Sequence, residues 1–494
     1  PWLRHIIFYS FQSWLLIQRV QKNYNSIFIE NQFLDYKPPR DFNSFMTEVS
    51  EGNINEYCCY KAAQFHQLRI FFHENIKNIN NENTSSKKHN IYRIFTNILS
   101  LNNISSFLDG NNNIQIILNL LFSFKKNKFL IYRCRKSFFL FLYGNLFTKY
   151  GWKYLLLKNN FKFKNSNKSI RQDILNLENN FTTNYAKYLC HILSKTIPEF
   201  YLSNSKKNSN IYMKNKHIIT STGHWNEDRF KKFLSENISL LDKLSVYQHG
   251  GTFGMTKFEF NQYVYETSIP NNYLSWGWSH KNNNKIVPFI YDFPIIKIPR
   301  IPIRNKRFEI CVILTRVKAF SRGDPWDNSE WNKLYINNLL GICQSLKKLQ
   351  INFCLRSHPS QDKLISFENF LEDKVENIKF NYGQMHYNKY DLYLVTQNST
   401  NLIDFLYLNT PTIIFIESKL EASDKFSYHI ERLKKHKIFH SSLDTMLNHL
   451  EFLNQSKSNL NNWWNDTNSQ NAIKDFLNEF ASTDLSNLQF LKKI

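Results

Sequence analysis

The sequence predicts an α/β protein with parallel, doubly wound sheets in two domains, and three observations support this prediction. The chain has 494 residues, which is too long for one ordinary hydrophobic core. Residues 217–251 follow the order strand, loop, helix, strand and loop, which is typical of a βαβ unit. Residues 308–416 repeat this alternation with strands that are apolar throughout, and such strands are buried on both faces of a parallel sheet.

The first domain is predicted to span residues 1–280, with a helical part at 1–200 and an α/β part at 211–280. Within the helical part, apolar residues recur at helical spacing at 11–20 and at 56–72. These two stretches are therefore predicted to be amphipathic helices.

A proline-rich stretch separates the two predicted domains. Residues 281–305 contain four prolines, which fit neither a regular helix nor a central strand, so this stretch is predicted to be an extended linker. The second domain is predicted at 306–460, and residues 461–494 are predicted to form a C-terminal helical segment. The strands of the second domain are predicted at 308–315, 351–359, 391–396 and 411–416, and its helices at 328–349 and 399–409.

The charge of the chain favours anionic partners. It carries 63 Lys and Arg against 40 Asp and Glu, a net charge of +23. Such a balance suits phosphorylated substrates, an anionic membrane surface or nucleic acid. The basic residues are scattered, and no zinc-finger, RNP or P-loop motif accompanies them, so no specific nucleic-acid partner is expected.

The sequence predicts a cytoplasmic protein that associates with the inner membrane peripherally, if at all. Its seven cysteines are odd in number and scattered, without a CxxC pair, which suits a reducing compartment. The longest apolar runs, 114–122 and 138–147, are shorter than the roughly 20 residues of a membrane-spanning helix. Because the chain begins with Pro1 and not with Met, we expect it to be an N-terminally truncated fragment.

Two polar segments follow predicted strands of the second domain, at the sheet edge where doubly wound sheets bind ligands. The motif LRSHP places Arg356 and His358 at the end of one strand, and the guanidinium fork of an arginine suits phosphate oxygens. Between a later strand and its helix lie Gln397, Asn398, Ser399 and Thr400. The N–H groups and hydroxyls at such a helix start form an anion site. The sequence therefore predicts a pocket for donor phosphate, against the alternatives of a solvated basic loop and an ordinary helix N-cap.

No metal or other cofactor is predicted at this pocket. The sequence has no DxD motif of the kind that chelates a nucleotide-sugar through Mn²⁺, and no Walker P-loop. His436 and His440 have the spacing of a metal-binding pair, but the sequence offers no evident third ligand.

The motif QHGGTFG holds a candidate catalytic base. His249 follows a predicted strand and precedes Gly250 and Gly251, which let a substrate approach the backbone of this cleft loop. In an inverting sugar transfer, one base takes the proton of the acceptor hydroxyl while cationic and N–H donors hold the leaving phosphate. His249 is one candidate for that base and Glu266 is the other. The alternative is a turn histidine bonded to the backbone.

Seven motifs, taken in order, resemble those of one protein family. They are STGHW (221–225), FKKF (230–233), QHGGTFG (248–254), YLSWGW (273–278), LRSHP (355–359), QNST (397–400) and NTPTIIF (409–415). The chain resembles a bacterial family of transferases encoded in O-antigen and surface-polysaccharide loci. It is more distantly similar to the capsule Kdo transferases and the CDP-glycerol glycerophosphotransferases, which have a GT-B fold.

The resemblance implies two Rossmann-like domains that face a cleft, with the donor nucleotide in the C-terminal one. In the glycerophosphotransferases the histidine of the HG motif is a catalytic candidate, and His249 matches it. Their HP histidine and a Ser/Thr pair bind donor phosphate, and the matching residues here are His358, Ser399 and Thr400. An acidic residue often precedes the family's YL.WGW element, but this chain has Asn271 and Asn272 there, so the role of that acid does not carry over.

The function expected from these motifs is a metal-independent glycosyltransferase. Its donor is expected to be a nucleotide-sugar, with a CMP-activated ulosonic acid implied by the resemblance. Its acceptor is expected to be a glycan or lipid-linked precursor of a surface polysaccharide or O-antigen. Two alternatives stay open, namely a CDP-polyol phosphotransferase on the same fold and a non-enzymatic basic protein that binds RNA or anionic lipid.

Overall fold

Parallel strands connected through helices form the framework of the molecule. The structure, a computed structural model, describes residues 2–29, 36–72, 112–122, 125–134, 137–157, 168–202, 213–257, 261–291, 308–317, 329–358, 367–382, 387, 389–417 and 422–488. These residues form two six-stranded parallel sheets and a two-stranded parallel sheet near the N-terminus, together with helices.

The helices and strands have the following bounds. The strands are β1 Ser26–Ile29, β2 Arg69–Phe72, β3 Asn127–Tyr132, β4 Gly151–Tyr154, β5 His217–Thr220, β6 Lys243–Tyr247, β7 Asn272–Ser275, β8 Ile286–Pro288, β9 Glu309–Ile313, β10 Asn352–Arg356, β11 Phe380–Asn381, β12 Leu392–Val395, β13 Thr412–Phe415 and β14 Phe439–His440. The helices are α1 Trp2–Gln21, α2 Phe42–Ser50, α3 Asn53–Phe65, α4 Asn112–Leu121, α5 Ser137–Phe147, α6 Lys168–Asn176, α7 Asn184–Thr196, α8 Glu199–Leu202, α9 Gly223–Asn226, α10 Asp228–Asn237, α11 Asn261–Ser268, α12 Ser329–Lys348, α13 Phe367–Lys374, α14 Thr400–Tyr407, α15 Asp424–Lys435, α16 Leu443–Gln455, α17 Lys457–Asn465 and α18 Thr467–Phe480.

The C-terminal sheet has the strand order β11-β10-β9-β12-β13-β14, and all its strands are parallel. Successive strands are added to one side of β9 as far as β11 and then, from β12, to its other side. The strand order therefore reverses between β9 and β12, and this is the position where doubly wound sheets bind ligands. Side chains of β9 alternate between two cores, since Ile310 and Val312 pack on one face and Cys311 and Ile313 on the other. The predicted parallel, doubly wound sheet is therefore confirmed.

The N-terminal sheet has the order β4-β3-β5-β6-β7-β8 and is also parallel. Its strand order reverses between β3 and β5. The predicted βαβ unit at 217–251 is formed by β5, α10 and β6. Two parallel sheets of this kind are the GT-B-like pair of Rossmann-like domains that the sequence predicts.

The two sheets share one apolar core. It joins side chains of both sheets and of α18, among them Val246, Trp276, Ile313, Val395 and Phe476. Such a continuous core is expected to hold the two domains together more firmly than a polar interface would.

A helical layer precedes the N-terminal sheet, as the sequence predicts. Helices α1, α2, α3 and α7 pack around a separate apolar core that contains Tyr9, Phe45 and Tyr188. One stretch differs from the prediction, because the expected helix at 56–72 ends at Phe65 and continues as strand β2. Gln67 has a φ of 56°, a left-handed conformation that ends a helix, and the β-favouring run RIFF follows it.

Strands β3 and β4 also lie within the part of the chain that is predicted to be helical, residues 1–200. Both belong to the N-terminal sheet, so the α/β part of the first domain begins well before residue 211. Their runs of apolar residues alone do not distinguish buried strands from buried helices, and this explains the difference.

The expected linker at 281–305 begins with a strand. Strand β8 pairs with β7 at the edge of the N-terminal sheet and ends at Pro288, a position where an edge strand tolerates proline. Linker residues 292–305 lie outside the described residues. At the other expected boundary, helix α17 continues across residues 460 and 461.

The C-terminal helical segment docks on the first domain. The backbone N–H of Ser482 donates to the carbonyl of Trp276 at 2.8 Å, and the N–H of Tyr291 donates to the carbonyl of Ser482 at 2.7 Å. None of the helices within the described ranges combines the length and the apolar content that a membrane crossing needs.

Candidate active site

The carboxyl ends of three strands bring the predicted phosphate-binding segments to one edge of the C-terminal sheet. Strand β10 ends at Arg356, and β12 leads through Gln397 and its neighbours into α14. Strand β9 lies between them, so β10 and β12 are about 10 Å apart. The side chain of Arg356 is only 5% exposed. A buried guanidinium at a ligand-binding edge is suited to an anionic group.

Asn398 and Ser399 present polar atoms that the described part of the chain does not satisfy. The amide oxygen and nitrogen of Asn398 and the hydroxyl of Ser399 are shielded from solvent and have no hydrogen-bond partner among the described residues. Ser399 occupies the N-cap position of α14, yet its side chain makes no capping hydrogen bond. An unsatisfied buried polar group costs about 1–3 kcal/mol, so these atoms are suited to a polar ligand.

The other predicted residues of this edge have different surroundings. The hydroxyl of Thr400 accepts a hydrogen bond from the backbone N–H of Gly251 at 3.1 Å, so it already contacts the other domain. Gln397 and His358 are half-buried beside the strand ends. The hydroxyl of Ser357, next to His358, donates to Glu368 and thereby holds the loop after β10.

The structure brings the two candidate bases of the N-terminal domain together. His249 follows β6, and Glu266 lies in α11, with 3.6 Å between His249 Nδ1 and Glu266 Oε1. This distance allows an ion pair but is longer than a hydrogen bond. The His249 side chain is 21% exposed and that of Glu266 is 0% exposed. The geometry therefore suits proton transfer at His249, with Glu266 orienting the imidazole.

The loop that carries His249 is held by the YLSWGW motif. The side-chain oxygen of Gln248 accepts hydrogen bonds from the backbone N–H of Trp276 at 3.0 Å and from the indole N–H of Trp278 at 2.8 Å. The indole N–H of Trp276 donates to the carbonyl of Gln248 at 3.0 Å. Both tryptophans are buried, so they pack and position the loop and are not exposed for stacking on a substrate.

The same loop contacts the C-terminal domain. Besides the bond from Gly251 to Thr400, the hydroxyl and N–H of Ser423 donate to the carbonyls of Gly254 and Met255, each at 2.9 Å. A Cβ on Gly251 would lie 2.8 Å from the Cα of Thr400, so only glycine fits there. The His249 loop and the start of α14 are therefore in direct contact.

His224 belongs to the STGHW motif but is not among the site residues that the sequence predicts. It follows β5 at the reversal of the N-terminal sheet, and its side chain is 1% exposed. Its ring stacks on that of Tyr265, with centroids 5.9 Å apart. A strand that ends in Ser, Thr and Gly before a histidine is the signal that could have identified it.

The described residues include no group of three His, Cys, Asp or Glu side chains arranged to hold a metal ion. At the edge formed by β10 and β12, the positive charge comes from Arg356, and the hydrogen-bonding groups come from Asn398 and Ser399. This set is suited to a phosphate group.

Comparisons with known proteins give one family and a distant structural relative. No curated protein matches the chain. Among solved structures, the chain is similar to the crystal structure of the pneumococcal O-GlcNAc transferase GtfA in complex with UDP and GlcNAc, with 14% identity and a TM-score of 0.31. That similarity covers 57% of this chain and 56% of that one, so it spans little more than half of either protein. The family model described as LIC12162 family transferase matches residues 1–494, and the chain therefore belongs to this family of transferases.

Proposed function

We propose that this transferase is a glycosyltransferase that moves a sugar from a nucleotide donor to an acceptor hydroxyl. Residues 1–280 serve as the acceptor-side domain in this proposal, and residues 306–460 bind the donor. The observation that carries the proposal is the contact between Gly251 and Thr400, which joins the His249 loop to the helix start beside Asn398. In this proposal, a basic group and a phosphate-binding edge face the same interdomain cleft.

The proposed reaction uses side chains from both domains. His249 takes the proton of the acceptor hydroxyl through Nε2, while Glu266 faces Nδ1 and orients the ring. The acceptor oxygen attacks the anomeric carbon as the bond from that carbon to the phosphate oxygen breaks. The electron pair leaves with the nucleotide, whose phosphate is held by Arg356, Asn398 and Ser399.

The identity of the donor sugar, the acceptor and the membrane surface is inferred from the sequence. The resemblance to capsule Kdo transferases supports a CMP-activated ulosonic acid as donor and a precursor of a surface polysaccharide or O-antigen as acceptor. The net charge of +23 supports work at an anionic membrane surface on the cytoplasmic side. Asn398 and Ser399 have buried polar atoms that no described residue satisfies, and these atoms support a bound donor rather than the open, basic surface of an RNA-binding protein.

The proposal is tested with a panel of donors. CMP-N-acetylneuraminate, UDP-N-acetylglucosamine, GDP-mannose and CDP-glycerol are each added to the protein, and the thermal midpoint and nucleotide release are measured. We expect at least one sugar nucleotide to raise the midpoint and to be turned over. In Arg356→Gln we expect the apparent donor affinity to fall about 10-fold or more, because a buried charged hydrogen bond is lost.

Two outcomes would replace the proposal. Turnover of CDP-glycerol alone, with phosphate in the product, would identify a polyol-phosphate transferase. Absence of any nucleotide response in a folded protein would leave a basic binding protein. His436→Gln is a suitable control for Arg356→Gln, because His436 lies at the end of α15, outside the proposed pocket, and should leave the donor response unchanged.

A further inference from the structure

Backbone hydrogen bonds hold the loop of His224 beside β3 and β5, where the strand order of the N-terminal sheet reverses. The N–H of Ser221 donates to the carbonyl of Arg133 at 3.1 Å, which ties the loop after β5 to the loop after β3. The N–H of Gly223 donates to the hydroxyl of Thr220 at 3.0 Å. A Cβ on Gly223 would lie 2.7 Å from the ring of Tyr132, so the residue before His224 must be small. These contacts hold the backbone of this loop in one position, and the loop lies where α/β sheets bind ligands.

The imidazole of His224 is buried, and neither ring nitrogen has a hydrogen-bond partner among the described residues. Burial, together with the positive charges of His249 and Lys231, lowers the pKa of His224 to about 3. The ring is therefore neutral near pH 7, with one nitrogen that donates and one that accepts. A hydroxyl group also donates and accepts, so it is the ligand that this ring complements.

Helix α11 connects His224 with the proposed base. Tyr265 stacks on the ring of His224, and its hydroxyl donates to the carbonyl of His224 at 3.2 Å. The next residue, Glu266, lies 3.6 Å from His249. Neighbouring residues of one helix thus contact both histidines, which places His224 on the same side of the cleft as His249.

We propose that His224 binds hydroxyl groups of the acceptor sugar beside His249. This inference rests on the proposed glycosyl transfer and deepens it. The residues that suit the donor phosphate lie on the other sheet, so the hydroxyl groups that reach the N-terminal sheet belong to the acceptor. His224 thus acts by binding, and His249 acts on the proton.

The test compares full-length wild type with His224→Phe and a matched control, His449→Phe. Like His224, His449 is almost fully buried, at 3% exposure, and has a pKa lowered to about 3 by burial. It lies in α16, and its ring contacts that of Trp463 in α17. The probes are CMP, the nucleotide of the proposed donor, together with p-nitrophenyl glycosides of galactose, mannose, N-acetylglucosamine and rhamnose. The readout is the thermal midpoint.

We expect at least one glycoside to raise the midpoint of wild type and of His449→Phe. For His224→Phe we expect the apparent glycoside affinity to fall about 10-fold or more, the loss expected for one or two hydrogen bonds. Its midpoint without ligands should stay the same or rise, because an apolar ring keeps the stacking on Tyr265 and leaves no polar atom unsatisfied. His224→Asn, which keeps a donor and an acceptor, should recover part of the glycoside response.

The inference is overturned if no glycoside affects wild type, or if His224→Phe keeps the glycoside response. If His224→Phe does not fold, His224→Leu replaces it in the same comparison. Failure of the proposed function gives a different result, because wild type then responds to none of the sugar nucleotides. If the inference holds, His224→Phe keeps the nucleotide response and loses only the response to glycosides.

Discussion

At the scale of single residues, exposure separates the two candidate bases. A fifth of the His249 side chain is exposed, whereas Glu266 has no exposed surface. We therefore expect His249→Ala to lower kcat about 100-fold or more, the usual contribution of a general base. Glu266→Gln should lower kcat about 10-fold or more by releasing the imidazole. Nucleotide release at saturating donor measures both, and an equal rate for His249→Ala would transfer the role to another group.

A second prediction at this scale separates ligand binding from helix capping. Ser399 stands at the N-cap of α14 without a capping hydrogen bond, so Ser399→Ala should leave the midpoint of the unliganded protein unchanged or raise it. The same change should weaken the donor response. Ser456 is the control, since its hydroxyl accepts from the N–H of Asn459 at 3.1 Å at the start of α17.

For Ser456→Ala we expect a loss of about 1 kcal/mol of stability, as for a true N-cap, with the donor response retained. Equal destabilisation by the two serine variants, with donor binding intact in both, would mean that Ser399 is an ordinary cap.

At the scale of elements, the contact between the His249 loop and α14 depends on one glycine. A Cβ on Gly251 would lie 2.8 Å from the Cα of Thr400, and the backbone there has no room to yield without moving one domain. We expect Gly251→Ala to lower kcat about 10-fold or more while donor affinity changes little, because misplacement of reacting groups by about 1 Å is costly. Steady-state kinetics with a saturating acceptor would show this separation.

The neighbouring glycine provides the control for that prediction. A Cβ on Gly250 would meet only the ring of Phe253, at 3.3 Å, and a side chain can move by a few tenths of an ångström. Gly250→Ala should therefore keep most of the activity. Equal losses in both variants would show that the loop itself, and not its contact with Thr400, limits turnover.

Elements with one dominant local signal could be predicted from the sequence. Strands β9 and β12 read as continuous apolar runs because both faces are buried, and the helices between them have a clear period. Strand β2 could not be distinguished from the helix before it, because Gln67 carries no local mark of its left-handed conformation. Likewise, the four prolines of residues 281–305 suggested an extended linker, so the edge strand β8 within this stretch was not predicted.

The candidate site followed the same division. Arg356 and Ser399 were predictable because they stand where parallel strands end, and that position follows from the order of strands and helices alone. His224 lies in the STGHW motif, but its two ring nitrogens, which no described residue satisfies, depend on neighbours distant in sequence. The pairing of His249 with Glu266 also depends on how α11 packs against β7, which no local pattern specifies.

At the scale of the whole molecule, contacts between the two sheets make the domains one unit. Beyond the shared apolar core, the carboxylate of Asp404 in α14 accepts hydrogen bonds from the hydroxyls of Tyr291 and Tyr387. Tyr291 is also bonded to the segment after α18 through the carbonyl of Ser482. The helix that begins beside Asn398 and Ser399 is therefore anchored to Tyr291, just after β8. We expect the relative positions of α14 and the N-terminal sheet to be largely fixed before any ligand binds.

Buried histidines make the whole fold sensitive to acid. Burial lowers the pKa of His217, His224 and His449 to about 3, whereas a histidine in an unfolded chain has a pKa of about 6.5. Between these values the unfolded chain binds protons that the folded chain excludes. Stability must therefore fall as the pH falls through this window, by roughly 1 kcal/mol per pH unit for each histidine. Above about pH 6.5 both states are neutral, and this contribution disappears.

The thermal midpoint measured between about pH 7.5 and pH 5 should therefore decline as the pH falls below about 6.5. His449→Phe removes one of these three histidines, so its decline should be shallower than that of wild type, while the two proteins differ least in slope near pH 7.5. The exposed residue His280 provides the control, and His280→Gln should decline in parallel with wild type. Parallel curves for wild type and His449→Phe would mean that His449 takes up a proton in the folded state, which its burial beside Trp463 opposes.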